Sequence, residues 1–183
     1  MEQPPEFLRC GDVELRRWRE DDLETLCQVA SESLDHLRPW MPWVEDHGRE
    51  LYEEFMARSE RGWKACSDFR YAITSGGEVI GSCGLRQVGP GAWDIGYWLH
   101  PAETGKGFAT MAAAALVGAG KRIPGVHRIE IRHDEANPAS GAVARRLGFT
   151  EAERVREPEG PQAPGEAGVT VVWRIDTQAE TEP

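Results

Sequence analysis

The chain has 183 residues, 40% of them hydrophobic and 28% charged, and a formal net charge of −10. The length suits one domain with its own hydrophobic core, and the composition is that of a soluble globular protein. The acidic balance argues against general nucleic-acid binding, which needs a basic footprint. It suits a cationic or amine-bearing substrate, although acidic surfaces also serve solubility alone.

The four cysteines, Cys10, Cys27, Cys66 and Cys83, are scattered, with no CxxC pair and no histidine spacing for zinc. The expectation is no metal, and reduced thiols in a cytoplasm. No window approaches the roughly 18 apolar residues of a membrane helix, and no apolar signal core is seen, so no membrane association is expected.

In chain order, residues 13–18 read as a first strand with imperfect alternation. Asp21 or Asp22 can cap a helix that sets Leu23, Leu26, Cys27 and Ala30 on one face. Pro39 and Pro42 break the segment Leu37-Arg-Pro-Trp-Met-Pro-Trp43, and a second helix is expected over residues 49–64. Phe69, Tyr71 and Ile73 alternate as a strand, Ser75-Gly-Gly77 turns the chain, and strands over 78–88 and 93–99 follow in antiparallel succession. Phe108, Met111, Ala112, Ala115, Leu116 and Ala119 form a helical stripe that Gly118 and Gly120 end. Residues 126–133 alternate as a strand. Asn137-Pro138 opens a short helix with Val143 and Leu147 inward and Gly148 at its C-terminal cap.

A last strand pair, 150–156 and 169–175, encloses a Pro/Gly/Glu loop at 157–168, and residues 177–183 read as a polar, disordered tail. Residues 1–176 are thus expected to form one α/β domain in the order β-α-α-β-β-β-α-β-α-β-β. The sheet is mixed and mostly antiparallel, with helices on both faces. The last strand pair is exposed in this reading and compatible with a homodimer.

The most informative stretch is Ile95-Gly-Tyr-Trp-Leu-His-Pro-Ala-Glu-Thr-Gly-Lys-Gly-Phe-Ala-Thr110. It reads as strand, tight glycine turn and helix start. Gly105 and Gly107 let the backbone approach a ligand, and a helix opening there directs unpaired N–H groups and a partial positive charge at one spot, which suits phosphate. The GxxxxGK[ST] spacing of a nucleotide loop is absent, and Thr110 stands where a dinucleotide fingerprint has its third glycine. A lone Gly-x-Gly also serves turn geometry alone.

Four pieces follow one another: Tyr97-Trp98-Leu99 with Pro101, Thr104-Gly-Lys-Gly-Phe-Ala109, Asn137 with Ser140, and Arg146-Leu-Gly-Phe149. In this order and spacing they resemble the GCN5-related N-acetyltransferase (GNAT) family. The Arg38-Pro-Trp-Met-Pro-Trp43 segment and the helix Val143-Ala-Arg-Arg-Leu-Gly-Phe149 tilt the resemblance towards its RimJ/RimL-type protein N-acetyltransferases. The likeness runs from the first strand to Ile175.

The resemblance implies acetyl-coenzyme A as acyl donor, its diphosphate wrapped by the amides of Thr104, Gly105, Lys106, Gly107, Phe108 and Ala109. The family begins this turn with Gln or Arg where Thr104 stands, so one side-chain contact is missing, and Glu103 must turn away. The Thr110 hydroxyl can reach the phosphates or serve only as a small first-turn residue. Leu99 matches the strand position whose backbone N–H holds the thioester carbonyl and then the oxyanion, on a strand that splays or bulges from its neighbour. Asn137 matches a residue that bonds the pantetheine arm, against an ordinary helix-start role. Ser140 matches the hydroxyl that assists the leaving thiolate in RimJ/RimL-type enzymes. The tyrosine that many relatives carry one turn later is Ala144 here.

A base must take the acceptor's proton. Glu130 on the strand beside the cofactor, Glu157 or Glu159 at the mouth of the 157–168 loop, His100, His133 and a water chain are the candidates. The resemblance favours a Glu near that loop. Trp40 and Trp43, on a proline-stiffened segment, line an acceptor groove or plug the sheet. The reading is direct acetyl transfer in a ternary complex to a primary amine, a protein N-terminus of ribosomal type. Rivals are a small-molecule amine (antibiotic, polyamine or amino-acid conjugate) and a non-catalytic coenzyme A-binding module.

Overall fold

The structure is a computed structural model that describes residues 3–177. Eight strands form one open sheet in the order β1-β2-β3-β4-β5-β6-β8-β7. They are β1 (Phe7–Cys10), β2 (Val13–Arg17), β3 (Asp68–Ser75), β4 (Glu78–Gly89), β5 (Ala92–Leu99), β6 (Arg128–Asp134), β7 (Thr150–Arg156) and β8 (Val169–Asp176). The helices are α1 (Leu23–Glu32), α2 (Leu34–Leu37), α3 (Arg49–Ala65), α4 (Phe108–Gly120) and α5 (Pro138–Arg146). Every strand pairing is antiparallel except β5 with β6.

The α/β class and the mixed sheet agree with the expectation, with two additions to its order. Strand β1 precedes the expected first strand, and α2 adds a single helical turn before the proline-broken segment. Asp22 does not cap α1 with its side chain. Its carboxylate takes two bonds from Arg16, at 2.6 and 2.8 Å, and one from the Arg19 amide. An ion pair thus displaces the expected cap. The sixth strand begins at Arg128 rather than 126, because Val126 closes a turn onto Ile123. Thr177, expected to open the disordered tail, bonds His127 and Val126; the remainder of that tail, 178–183, lies outside the described residues.

Strand alternation sorts the sheet into two faces. Val13, Leu15, Phe69, Tyr71, Ile73, Trp93, Ile95, Ile129, Ile131, Val171 and Trp173 join one core with Ala112, Ala113 and Leu116 of α4 and Val143 and Ala144 of α5. Alanines let α4 lie close to the strands, and a Cβ on its last residue, Gly120, would stand 2.7 Å from Ile129 Cδ1. Phe69 stacks on Trp93 at 5.5 Å and meets Trp63 edge-on at 4.9 Å; such pairs add about 0.5–1.5 kcal/mol each beyond their buried area. A second cluster of Trp18, Leu26, Ala30, Tyr52 and Ala72 seats α1 and α3 on the other face. Among the described residues no helix is long and apolar enough to cross a membrane.

Candidate active site

The pairing of β5 changes partway along its length. It stays in register with β4 from Trp93 to Leu99, but its parallel pairing with β6 stops at Ile95–Ile131. Beyond that point β6 follows β8 to Asp134, and the two strands open a notch. The bonding alternation fixes which amides face it. His100 N donates to Ile80 O (2.8 Å), and Gly91 O accepts from His127 and Arg128. Even-numbered residues of β5 therefore bond β4, while Tyr97 and Leu99 point their N–H groups into the gap. Divergence of two strands, with no bulge in the β4–β5 register from Gly81 to Gln87, frees the Leu99 amide. Its side chain is core, as expected. On the far side Gly81 permits a close approach of β4, since a Cβ there would meet Trp98 O at 2.1 Å.

The glycine turn closes one end of the notch. A 3₁₀ turn (Pro101–Glu103) leads to Gly105 and Gly107, at φ of 74° and 83°, and Gly107 caps α4 without a side-chain bond. The first helical bond is Met111 N to Gly107 O, at 3.0 Å. Among the described residues the amides of Gly105, Lys106, Gly107, Phe108, Ala109 and Thr110 have no acceptor in the protein, and residues 104–107 are exposed. Six donors at a helix N-terminus make an anion cradle. The Thr104 hydroxyl donates to Pro101 O (2.8 Å), so it offers no donor to a phosphate. Glu103 already turns aside, held by Lys106 at 3.0 Å.

Across the notch, Asn137 caps α5 by accepting from Ser140 N (3.3 Å). This occupies its oxygen and leaves its amide nitrogen for a ligand. Ser140 Oγ lies 2.9 Å from the Tyr97 hydroxyl. Tyr97 is the functional candidate that the sequence reading passed over. Burial of its ring pushes the phenol up to about 12.

The candidate bases fare unequally. The Glu130 carboxylate is fully buried and bound by Arg128, Arg132 and Arg174 at 3.0, 2.6 and 2.8 Å. Burial alone would raise its pKa, but the bonds from Arg132 and Arg174 outweigh it and hold the group below the usual carboxylate range. An acid so saturated is an ion-pair hub, which corrects its expected role as a base. Glu157 accepts from the Thr170 hydroxyl (2.5 Å). His133 Nε2 accepts from Trp173 Nε1 (2.9 Å) and Nδ1 lies 2.6 Å from Asp134 O, so both ring nitrogens are already engaged. His100 Nδ1 takes the Ala102 amide, which gives the ring a part in the turn that follows β5. Glu159 is exposed and carries no partner among the described residues.

On the α1/α3 face a cavity of about 290 Å³ is walled by Trp43, Leu51, Phe55 and Trp98, with Gly84 and Gly96 in its floor. These glycines face each other across β4 and β5, and a Cβ at Gly96 would have nothing within 4 Å. Trp43 lies 6.2 Å from Trp98. Trp40 is not among the lining residues. The 157–168 loop docks beside this segment through Gly165 N to Pro39 O (3.0 Å). Its far end is fastened by Asp134, whose carboxylate accepts from the amides of Ala167, Gly168 and Val169.

Together these groups can polarise a carbonyl bound in the notch, hold phosphate beside it and give a hydrogen bond to a leaving atom. That is the work of an acyltransferase. The chain belongs to the acetyltransferase (GNAT) domain family, which it matches over residues 12–150. It is 27% identical over 158 residues to the uncharacterized N-acetyltransferase p20 of Bacillus licheniformis, covering 84% of this chain and 88% of p20. Its fold is that of RimL, a ribosomal L7/L12 α-N-protein acetyltransferase solved with coenzyme A (TM-score 0.83, 23% identity, 96% of this chain and 98% of that one). It is also that of Mycobacterium smegmatis RimJ solved with coenzyme A disulfide (0.82, 22%, 96% and 88%). The microcin C7 self-immunity acetyltransferase MccE, solved with acetyl-coenzyme A and AMP, is as similar in fold (0.82, 18%, 91% and 93%).

Proposed function

We propose that this acetyltransferase moves the acetyl group of acetyl-coenzyme A directly to the N-terminal amine of a protein, of the ribosomal-protein type that RimL acts on. The observation that carries the donor half is the run of six unbonded amides at 105–110 beside the Leu99 N–H. In this reading the cradle takes the diphosphate, the Asn137 amide nitrogen takes the pantetheine arm, and the Leu99 amide takes the thioester oxygen as it becomes an oxyanion. The acceptor nitrogen comes from the Trp43–Trp98 cavity and loses its proton to Glu159 or to water. Ser140 donates to the departing sulfur. Cys83, the cysteine that lines this cavity, is buried, and burial pushes its thiol well above the ordinary range, which supports transfer through a ternary complex rather than a cysteine acyl-enzyme.

The acceptor half rests on cavity size. Small-molecule pockets run to about 300–1,000 Å³, and 290 Å³ sits at their lower bound. That room fits the end of a peptide chain better than a whole antibiotic, and the glycine floor gives a backbone an unobstructed strip. A nucleotide-bearing acceptor is the second reading, favoured by the fold likeness to MccE. The test is thiol release from acetyl-coenzyme A, with intact-mass readout, over N-terminal peptides of ribosomal proteins, polyamines, aminoglycosides and aminoacyl-nucleotide analogues. A mass gain of one acetyl group on the peptide α-amine is expected. Turnover only with small amines or nucleotides overturns the acceptor. A protein that binds the coenzyme and acetylates nothing would be a non-catalytic binding module.

A further inference from the structure

We propose that Tyr97 is the positioning residue for Ser140: its phenol donates to the serine hydroxyl, so that the serine's own proton is directed at the sulfur leaving the thioester. The inference rests on the acyl-transfer reading above and assigns a part of the site that the sequence pattern leaves empty. One turn beyond Ser140 the helix carries Ala144, fully buried and without a polar atom. A phenol nevertheless reaches the same helix start, from the neighbouring strand.

The geometry has three parts. Tyr97 and Leu99 are two residues apart on β5, so their side chains share one sheet face and their amides both face the notch. The thioester oxygen and the Tyr97 ring therefore meet the same opening. Next, the Tyr97 oxygen is 2.9 Å from Ser140 Oγ and 3.3 Å from Ser140 O. Bonds between hydroxyl and oxygen fall at about 2.5–3.0 Å, so of the phenol's two partners the serine hydroxyl is the closer and the carbonyl a longer, weaker one. A hydroxyl has one proton; if Tyr97 supplies the proton of this bond, the proton of Ser140 is left for another acceptor. Finally, Ser140 N is fixed by Asn137 Oδ1 (3.3 Å), which leaves the serine side chain as the adjustable member.

Acid strengths decide between positioning and proton transfer. The buried phenol stands at about 12, and an ordinary thiol at about 8.5. Tyr97 is thus too weak an acid to protonate a thiolate and keeps its proton throughout. As the amine nitrogen attacks, the C–S bond breaks and its electron pair stays on sulfur. Ser140 Oγ–H donates a hydrogen bond to that sulfur. The acceptor nitrogen gives its proton to the base, and water returns one to the thiolate on release.

The first test needs no acceptor. Coenzyme A bound to the wild-type protein is titrated by thiolate absorbance and compared with Tyr97→Phe, Ser140→Ala and the double variant. Directed donation stabilises the thiolate, so the bound thiol should titrate lower in the wild type than in Tyr97→Phe, by up to about one pKa unit, which is tenfold. The double variant should match Ser140→Ala alone. In turnover, Tyr97→Phe should lower kcat about five- to tenfold, one hydrogen bond's worth, with KM for acetyl-coenzyme A within about twofold. Unchanged thiol titration and kcat, with a lower Tm, would make Tyr97 a packing residue and overturn the proposal. Additive losses in the double variant, or a larger loss from Tyr97→Phe than from Ser140→Ala, would overturn it too, because the phenol would then act independently of the serine. A wild-type protein that binds no coenzyme A removes the acyl-transfer reading itself, and is told apart because every variant then gives a null titration.

Discussion

Glu130→Gln separates a base from a structural anion. Glu130 Oε2 takes Nε and a terminal nitrogen of Arg132 at 3.1 and 2.6 Å, and Oε1 takes Arg128 Nε and Arg174 Nε at 3.0 and 2.8 Å. Glutamine keeps one oxygen. Whichever way its amide turns, the NH₂ group faces two guanidinium N–H groups, so two of the four bonds are lost. A bond to a charged group contributes about 1.5–3 kcal/mol. The arginine side chains are 34–46% exposed and can rehydrate, which brings the total to about 2–3 kcal/mol. For a chain of this size each kcal/mol moves Tm by about 2–4 °C, so a fall of about 4–12 °C is expected at pH 7. The folded pKa of Glu130 lies below the ordinary value. Its stabilisation is therefore fully present above the unfolded carboxylate value of about 4.3 and is lost as pH falls through the folded one. The Tm gap between wild type and variant, followed by calorimetry, should close below about pH 4. Turnover at 25 °C and pH 7 should stay within about twofold. A hundredfold loss of kcat with an unchanged Tm would refute the reasoning and restore Glu130 as the base.

Three further outcomes are expected. Gly107→Val should raise the dissociation constant for coenzyme A by tenfold or more in calorimetric titration. The strain comes from the +83° φ rather than from crowding, because a Cβ there meets only Met111 Cε at 4.0 Å; left-handed backbone costs a non-glycine residue about 1–2 kcal/mol. Gly96→Leu should leave Tm and KM for acetyl-coenzyme A unchanged while raising KM for the acceptor tenfold or more, since the side chain enters open cavity space; unchanged acceptor kinetics would exclude that cavity as the acceptor site. Asp134→Ala should speed hydrogen exchange at the amides of Ala167, Gly168 and Val169. Burial alone would raise the Asp134 pKa, but these amides outweigh it and hold it low, so in the wild type their protection, measured against intrinsic exchange at the same pH, should fall only as pH drops below the ordinary aspartate value of about 3.9.

Local chemistry made the glycine turn readable. Two glycines around one lysine at a helix start have few uses, and the left-handed φ values at 105 and 107 are what such residues supply. The cradle is a property of adjacent residues: expected over 104–109, its free amides run from 105 to 110, because the Thr104 amide is spent on Pro101 O. The Tyr97–Ser140 bond joins residues 43 positions apart, and no local period announces it. A signal did exist: Tyr97 alternates with Ile95 and Leu99, so its hydroxyl sits on a core-facing position and needs a partner. Glu130 shows a signal overlooked. Arg128-Ile-Glu-Ile-Arg132 places both arginines on the glutamate's own face at i±2, which foretells an ion-pair hub; only Arg174 required the register with β8. Strand β1 escaped notice because four residues with exposed and half-buried positions carry too short an alternation.

Both halves of the proposed donor site follow from one topological fact. The sheet is antiparallel everywhere except between β5 and β6. Antiparallel neighbours can be joined by a tight turn, but a parallel pair requires a crossover, usually a helix, that carries the chain back to the strand's starting end. The crossover here is α4, so its N-terminus must follow the end of β5 closely. That end is where β5 and β6 have parted, because β6 has a second neighbour, β8, to follow while β5 keeps β4. A free ladder amide and a bank of free helix amides are thereby brought together by the same connection. Restoring β6 pairing beyond Ile95 would consume the Leu99 donor, and lengthening the 100–107 link would draw the cradle away from it. The short, glycine-bearing link is thus as much a part of the chemistry as the groups it connects.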